Sequence, residues 1–167
     1  MDANRRQTVD ERLKTREKYW PAAVTPISHL MVRIYRVGSL VHENSMKCAA
    51  AHELTFSEFE VLATLRGTPP PNELMPTALY NAVLMSSGGL TKVLVGLEKR
   101  GLIARTDGKS DRRNKPVRLT AKGRGLAERA MAEVLKSAGA LILNGLSPSE
   151  VERTARLLRK LLASLEG

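Results

Sequence analysis

The residues best suited to chemistry stand between Ser86 and Thr120, in SSGGLTKVLVGLEKRGLIARTDGKSDRRNKPVRLT. Two features of this stretch point to an anionic partner. The first is Ser86-Ser87-Gly88-Gly89, which opens an apolar repeat of Leu90, Val93, Leu94 and Leu97 at the i, i+3, i+4, i+7 spacing of one helix face. A helix that begins on small residues leaves its first backbone N–H groups, and the positive end of its dipole, open to a phosphate. Ser86 or Ser87 can act as the N-cap of this helix, and Gly101 sits where it stops. Thr91 and Lys92 lie mostly away from the apolar face. The second feature is charge. From position 105 to 124, Arg105, Lys109, Arg112, Arg113, Lys115, Arg118, Lys122 and Arg124 stand against Asp107 and Asp111 alone. Eight cations less two anions make +6 in 20 residues, more than half of the chain's net +10. Lysine and arginine that neutralise phosphates are the main sequence-independent source of nucleic-acid affinity, and arginine on a loop suits the narrow minor groove of A·T-rich DNA.

No competing chemistry is assembled elsewhere. There is no Ser/His/Asp set, no defensible pair of carboxylates and no glycine-rich phosphate loop; the Ser-Ser-Gly-Gly run lacks the preceding strand and following Lys-Ser/Thr that such a loop needs. The chain therefore reads as no enzyme, with no cofactor. Cys48 and His52 fall at i, i+4 on a helix near His42, but no third close pair of metal-ligand type accompanies them. Neither a metal site nor a redox role for Cys48 is expected.

The elements that must hold the basic stretch follow from periodicity and punctuation. Leu102 to Thr106 and Pro116 to Thr120 predict two short strands, with Val117 and Leu119 turned inward and a charged turn between them. Upstream, Thr55-Phe56-Ser57-Glu58 is a capping box for a helix that ends at Gly67, with Phe56, Phe59, Val61, Leu62 and Leu65 buried. Thr68 to Pro76 reads as a stiff proline-rich connection. A helix over Thr77 to Leu84 then pairs with the Ser86 helix through Leu79, Val83 and Leu84. Thr25-Pro26 opens a long helix to about Ala51, with Ile27, Leu30, Met31, Ile34, Val37, Leu40 and Val41 as its stripe. Thr120 caps a helix to about Leu143. Ser147-Pro148-Ser149-Glu150 starts another, carrying Val151, Ala155, Leu158, Leu162 and Leu165. Asp10 to Tyr19 predicts a helix in a polar N-terminal extension.

Length bounds the chain to one compact domain of 167 residues, and the scarcity of aromatics leaves a core of Leu, Val, Ala, Ile and Met. No apolar run reaches the ~18 residues of a membrane span. The charged N-terminus has no signal-peptide centre. One cysteine excludes an intrachain disulfide framework. The cytoplasm is the expected compartment. Apolar helix surface in excess of what one small winged unit can use predicts a homodimer, which would set two recognition helices one turn apart on a palindromic duplex.

SSGGLTKVLVGLEKRGLIAR, the DRR at Asp111 to Arg113 and VRLTAKGRGL together resemble the winged helix-turn-helix of the MarR family of bacterial transcription regulators, and the similarity covers residues 26–162. The resemblance implies a mainly α fold with a small β-hairpin wing: an extension at 1–25, a dimerisation helix at 26–54, the winged helix-turn-helix at 55–120, and C-terminal dimerisation helices at 121–167. It implies double-stranded DNA as partner, with Ser86, Ser87, Gly88, Thr91 and Lys92 at the major groove and Arg112 or Arg113 as the wing-tip reader. Asp111 would orient Arg113, and Lys109 and Lys115 would add phosphate contacts. A small aromatic or anionic effector is also implied. In the urate-responsive branch a Trp in the extension, an acid in the second helix, an Arg in the recognition helix and an Arg on the first wing strand serve the ligand. Trp20, Glu60 and Arg105 match three of these, but Val93 replaces the recognition-helix arginine, so urate itself is not expected. The function expected is a ligand-responsive repressor. The alternative is a basic architectural nucleic-acid-binding dimer without an effector.

Overall fold

The computed structural model describes residues 7–83, 86–105 and 115–167, with the backbone alone at Ser87. Seven α-helices and three short strands follow in order: α1 (Val9–Tyr19), a 3-10 turn (Pro21–Ala23), α2 (Pro26–Ala51), α3 (Phe56–Arg66), β1 (Glu73–Leu74), α4 (Pro76–Ala82), α5 (Ser87–Lys99), β2 (Ile103–Arg105), β3 (Val117–Leu119), α6 (Ala121–Leu143) and α7 (Pro148–Glu166). This is the mainly α architecture with a small wing that the sequence predicts. Residue contacts divide the chain into two units, Met1–Glu43 and Asn44–Gly167, and the boundary falls inside α2. No described helix is long and apolar enough to cross a membrane.

In the first unit, Thr8 caps α1 with a complete capping box: its hydroxyl accepts from the Glu11 N–H, and the Glu11 carboxylate accepts from the Thr8 N–H at 2.7 Å. The helix buries one side chain, Leu13. An ion pair from Arg33 to Asp10 ties it to α2.

The second unit holds the core. Leu62, Leu65, Leu79, Leu97 and Leu102 are fully buried with Ile103, Val61 and Val117, each contributing about 1.5–3 kcal/mol over an exposed position. They come from α3, α4, α5, the turn after α5 and the sheet, and α3 lies against α4, α5, α6 and β3. Val117 and Leu119 point inward and Arg118 outward, the alternation a one-sided strand requires.

The sheet order is β1-β3-β2, antiparallel throughout. Its third strand was not expected, because the sequence between Thr68 and Pro76 reads as a proline-rich connection. Asn72 explains it. This buried residue adopts a left-handed φ of 59°, donates its side-chain amide to the Thr68 and Arg66 carbonyls at 2.6 and 3.3 Å, and accepts the Leu119 N–H at 2.9 Å. The turn delivers Glu73 opposite Arg118, where the two form an ion pair at 2.8 Å. The helix expected over 77–84 is Pro76–Ala82, because Val83 is already extended (φ −112°, ψ 145°); Leu84 lies outside the described residues.

Among the glycines of this unit, the closest approach of a neighbour is at Gly123, in the first turn of α6. A Cβ there would stand 1.9 Å from the Leu102 carbonyl oxygen, which is backbone and cannot step aside. At Gly125 a Cβ would meet only the tip of the Arg129 side chain, at 3.3 Å. Gly123→Ala is therefore expected to destabilise the protein by about 2–4 kcal/mol in urea unfolding. Gly125→Ala, with helix propensity in its favour, should be neutral or stabilising by up to ~1 kcal/mol. Equal effects at the two positions would refute this packing.

Candidate nucleic-acid interface

The geometry of α5 is set at both ends by local chemistry. Ser86 is extended (φ −71°, ψ 154°) and its hydroxyl accepts the Gly89 N–H at 3.3 Å, an N-cap of the kind its sequence predicts. A Cβ on Gly89 would come within 3.2 Å of that hydroxyl, so glycine there leaves room for the cap. At Gly88 a Cβ would meet nothing within 4 Å. The fold therefore has no packing need for glycine at 88, and its effect is to keep the helix start bare.

Around the helix, Leu90, Leu94 and Leu97 enter the core while Gly88, Thr91, Lys92 and Val95 are exposed. Val93 packs half-buried against the core cluster, so an apolar contact occupies the position at which the resembled ligand-binding branch carries arginine. The outcome is a rigid helix with an apolar inner face and a small-residue, cationic outer face.

The C-terminal end is fixed by a motif only part of which was readable in sequence. Gly101 adopts φ 67°. The Leu102 N–H bonds the Leu97 carbonyl at 3.0 Å and the Gly101 N–H bonds the Glu98 carbonyl at 2.9 Å, the paired arrangement of a Schellman cap. The carbonyls from Arg100 to Leu102 are taken up from the start of α6: Lys122 Nζ donates to Arg100 O at 2.9 Å, the Thr120 hydroxyl donates to Gly101 O at 2.8 Å, and the Thr120 N–H donates to Leu102 O at 3.1 Å. The Arg100 guanidinium reaches back to Glu58 at 3.2 Å and to the Glu53 carbonyl at 2.9 Å, joining α5 to the start of α3. Sequence reasoning missed Arg100 and Asn72 as positioning residues; a cation just before the glycine that ends a helix was the available signal for the first.

The basic count of the wing needs reading against these bonds. Arg118 is committed to Glu73 and Lys122 to a carbonyl. Arg105, at the end of β2, has a side chain only 13% exposed, with Nε 3.7 Å from a Glu98 carboxylate oxygen. Lys115 is half-buried at the foot of β3. Lys109, Asp111, Arg112 and Arg113 lie outside the described residues, and at Ser87 only the backbone is described.

The remaining candidates fall in both units. Glu60 is half-buried on α3, in the same unit as Arg105. Trp20 is exposed at the C-cap of α1, in the other unit. Cys48 is buried, and His52 Nε2 lies 2.8 Å from Glu133. Among the described residues no group of three His, Cys, Asp or Glu side chains could hold a metal ion.

Comparison with known proteins bears on this geometry. The sequence profile of the MarR family matches residues 54–115, from just before α3 into the foot of the wing. The chain is similar to the HTH-type transcriptional regulator PecS of Dickeya dadantii, at 33% identity over 132 residues that cover 78% of this chain and 76% of that one. It is also similar to the HTH-type transcriptional repressor Rv2887 of Mycobacterium tuberculosis, at 32% identity over 136 residues, 81% of this chain and 93% of the relative. The crystal structure of Rv2887 superposes with a TM-score of 0.60 over 82% of this chain and 94% of that one. The fold matches that of Sco3205, a MarR family transcriptional regulator from Streptomyces coelicolor solved in complex with DNA, with a TM-score of 0.68 at 18% identity over 100% of this chain and 94% of that one.

Arg100 and Glu58 offer a direct test of how the interface helix is held. A double-mutant cycle of Arg100→Ala and Glu58→Ala, read by chemical unfolding, is expected to give a coupling of about 1 kcal/mol. A coupling indistinguishable from zero would leave α5 positioned by its backbone cap alone.

Proposed function

The chain belongs to the MarR family of transcriptional regulators, and from that premise we propose that it is a ligand-responsive repressor that binds a palindromic operator in double-stranded DNA as a homodimer. Members of this family regulate transcription and are not enzymes. The observation that carries the reading is the two-faced α5: Leu90, Leu94 and Leu97 anchor it in the core, and Ser86, Gly88, Thr91 and Lys92 are exposed on its outer face. In this reading that face and Ser87 meet the major groove. Arg112 or Arg113 reads the minor groove from the wing, Asp111 orients Arg113, and Lys109 and Lys115 contact phosphates.

The homodimer is supported by apolar surface with no cover in the single chain. On α2, Ile27, Leu30, Val37 and Leu40 are exposed; on α7, Leu157, Leu162 and Leu165 are exposed, the last at 72%. Faces of this kind are buried in stable proteins or serve as contact surfaces. Residues 26–54 and 121–167 would then carry dimerisation, 55–120 DNA binding, and 1–25 an extension. The proposed site of action is the cytoplasm, where an operator is reached. For the effector we propose a small aromatic or anionic molecule, with Arg105 and Glu60 as its contacts in the DNA-binding unit.

The test is binding of the purified protein to the DNA flanking its own gene, against scrambled DNA of equal length at about 0.15 M salt. A preference on the order of 10³ or more, with two chains per duplex, is expected for a sequence-specific regulator. Binding without preference that vanishes as salt rises would instead establish an architectural nucleic-acid-binding dimer. Gly88→Leu should leave unfolding stability unchanged or slightly raised, because its side chain enters open space, yet weaken operator binding at least about tenfold, 1.4 kcal/mol. Undiminished binding in that variant would remove α5 from the interface. Arg113→Ala is expected to weaken operator binding by at least about 1 kcal/mol, and unchanged binding would defeat the wing assignment.

A further inference from the structure

We propose that Val95 is a specificity-determining residue that packs against the 5-methyl group of a thymine in the major groove. The inference deepens the proposed function and rests on its reading of α5 as the groove-facing helix. Gly88, Thr91, Lys92, Val95 and Lys99 are all exposed. They follow Gly88 at three, four, seven and eleven residues, the spacing of one strip along a helix. Val95 is the one hydrocarbon side chain on that strip, and it is 42% exposed.

The fold gives no reason for a valine there. Helix α5 enters the core through Leu90, Leu94 and Leu97, with Val93 packed against them, and Val95 takes no part in that cluster. A β-branched residue at an exposed helix position lowers helix propensity rather than raising it. Most of the large apolar side chains left exposed lie on α2, α6 and α7. Between residues 55 and 120 the described residues leave only Met75, Tyr80 and Val95 so exposed. Met75 and Tyr80 belong to the cap and body of α4, which leaves Val95 alone on the outer strip of α5.

The chemistry of the bases supplies its match. Thymine shows the major groove a carbonyl acceptor and a methyl group, and that methyl is the apolar feature that marks a T·A pair. Valine can neither donate nor accept a hydrogen bond. Set over the amino group of adenine or cytosine, it would strip a donor of water and offer nothing in return. At about 1.5 Å of rise per residue, Val95 stands about 10 Å along the helix from Gly88, one turn beyond Thr91. Lys92 and Lys99 flank it on the same strip, and no Asp or Glu shares that strip. Glu98, the neighbouring acid, is half-buried and faces Arg105. An apolar contact between two cations suits a base edge lying between two phosphate backbones.

The test uses a duplex selected from random-sequence DNA by the full-length protein at about 0.15 M salt. Each thymine of the selected site is replaced in turn by uracil, which lacks only the methyl group. One position in each half-site is expected to respond, with binding weakened about fourfold, ~0.8 kcal/mol, the worth of one buried methyl-sized group. Val95→Ala should bind the thymine and uracil forms equally at that position, with an unfolding midpoint unchanged or slightly raised. Lys92→Ala should bind both forms more weakly and keep their fourfold ratio. The proposal is overturned if the response to uracil persists in Val95→Ala, as it would were the methyl acting through groove shape at the wing. A selected site in which no thymine responds sinks the proposal alone. Failure of the parent to select any sequence would overturn the reading of α5 and this proposal with it.

Discussion

The Asn44–Gly167 unit depends on one close approach: the first turn of α6 against the backbone that leaves α5. A helix ends with carbonyls its own ladder cannot satisfy, and here three in succession, from Arg100 to Leu102, accept hydrogen bonds from Thr120 and Lys122. The contact is possible only because residue 123 has no side chain. Thr120 works in both directions, since its hydroxyl also accepts the Gly123 N–H at 3.0 Å and so caps α6. Helix α5, strand β2 and helix α6 thus share one junction. A displacement of α6 cannot leave α5 where it was.

The wing root obeys the same logic at a second point. Residue β3 118 faces solvent and 117 and 119 face the core, so β3 must be held in register or its apolar residues would turn outward. Two strands flank it. On one side β2 pairs Ile103 with Leu119 and Arg105 with Val117. On the other, the turn at Asn72 presents Glu73 to Arg118, where cross-strand opposite charges add to the backbone pairing. Several cations that count toward the wing's charge are therefore internal fasteners, and net charge along the chain overstates what the root of the wing can offer to a phosphate.

How far sequence reached follows from the range of each interaction. Elements governed by neighbours within four residues were readable: the capping boxes at Thr55 and Ser147, the caps at Ser86 and Thr120, the glycine stop at 101, and the period of Leu90, Leu94 and Leu97. At Ser147 the local signal even extends to titration, since the Ser147 hydroxyl and N–H hold the Glu150 carboxyl below its ordinary range. What was not readable depends on pairs far apart in the chain. β1 exists because residues 73 and 118 meet, and Arg100 matters because residues 53 and 58 stand beside it. A motif matched position by position likewise carries no information on whether a side chain such as Arg105 already faces an acid of its own fold.

The apolar stripes carry the last step. A helix in water gains most of its stability from packing one face against something else. α7 spans 19 residues and buries none of them in the single chain, and α2 spans 26 and buries only Ser45, Cys48 and Ala49, all near its end. Neither is the composition of a helix meant to stand in solvent, because leucine, isoleucine and valine recur on one side of each. The core described above takes little from them: α2 contributes Ala49, and the rest comes from α3, α4, α5, the sheet, the first half of α6 and the turns between these elements. In the proposed homodimer, stability of the terminal helices and assembly of the chain are one equilibrium rather than two, and a molecule that altered how these helices meet would change the spacing of the two α5 helices without touching either.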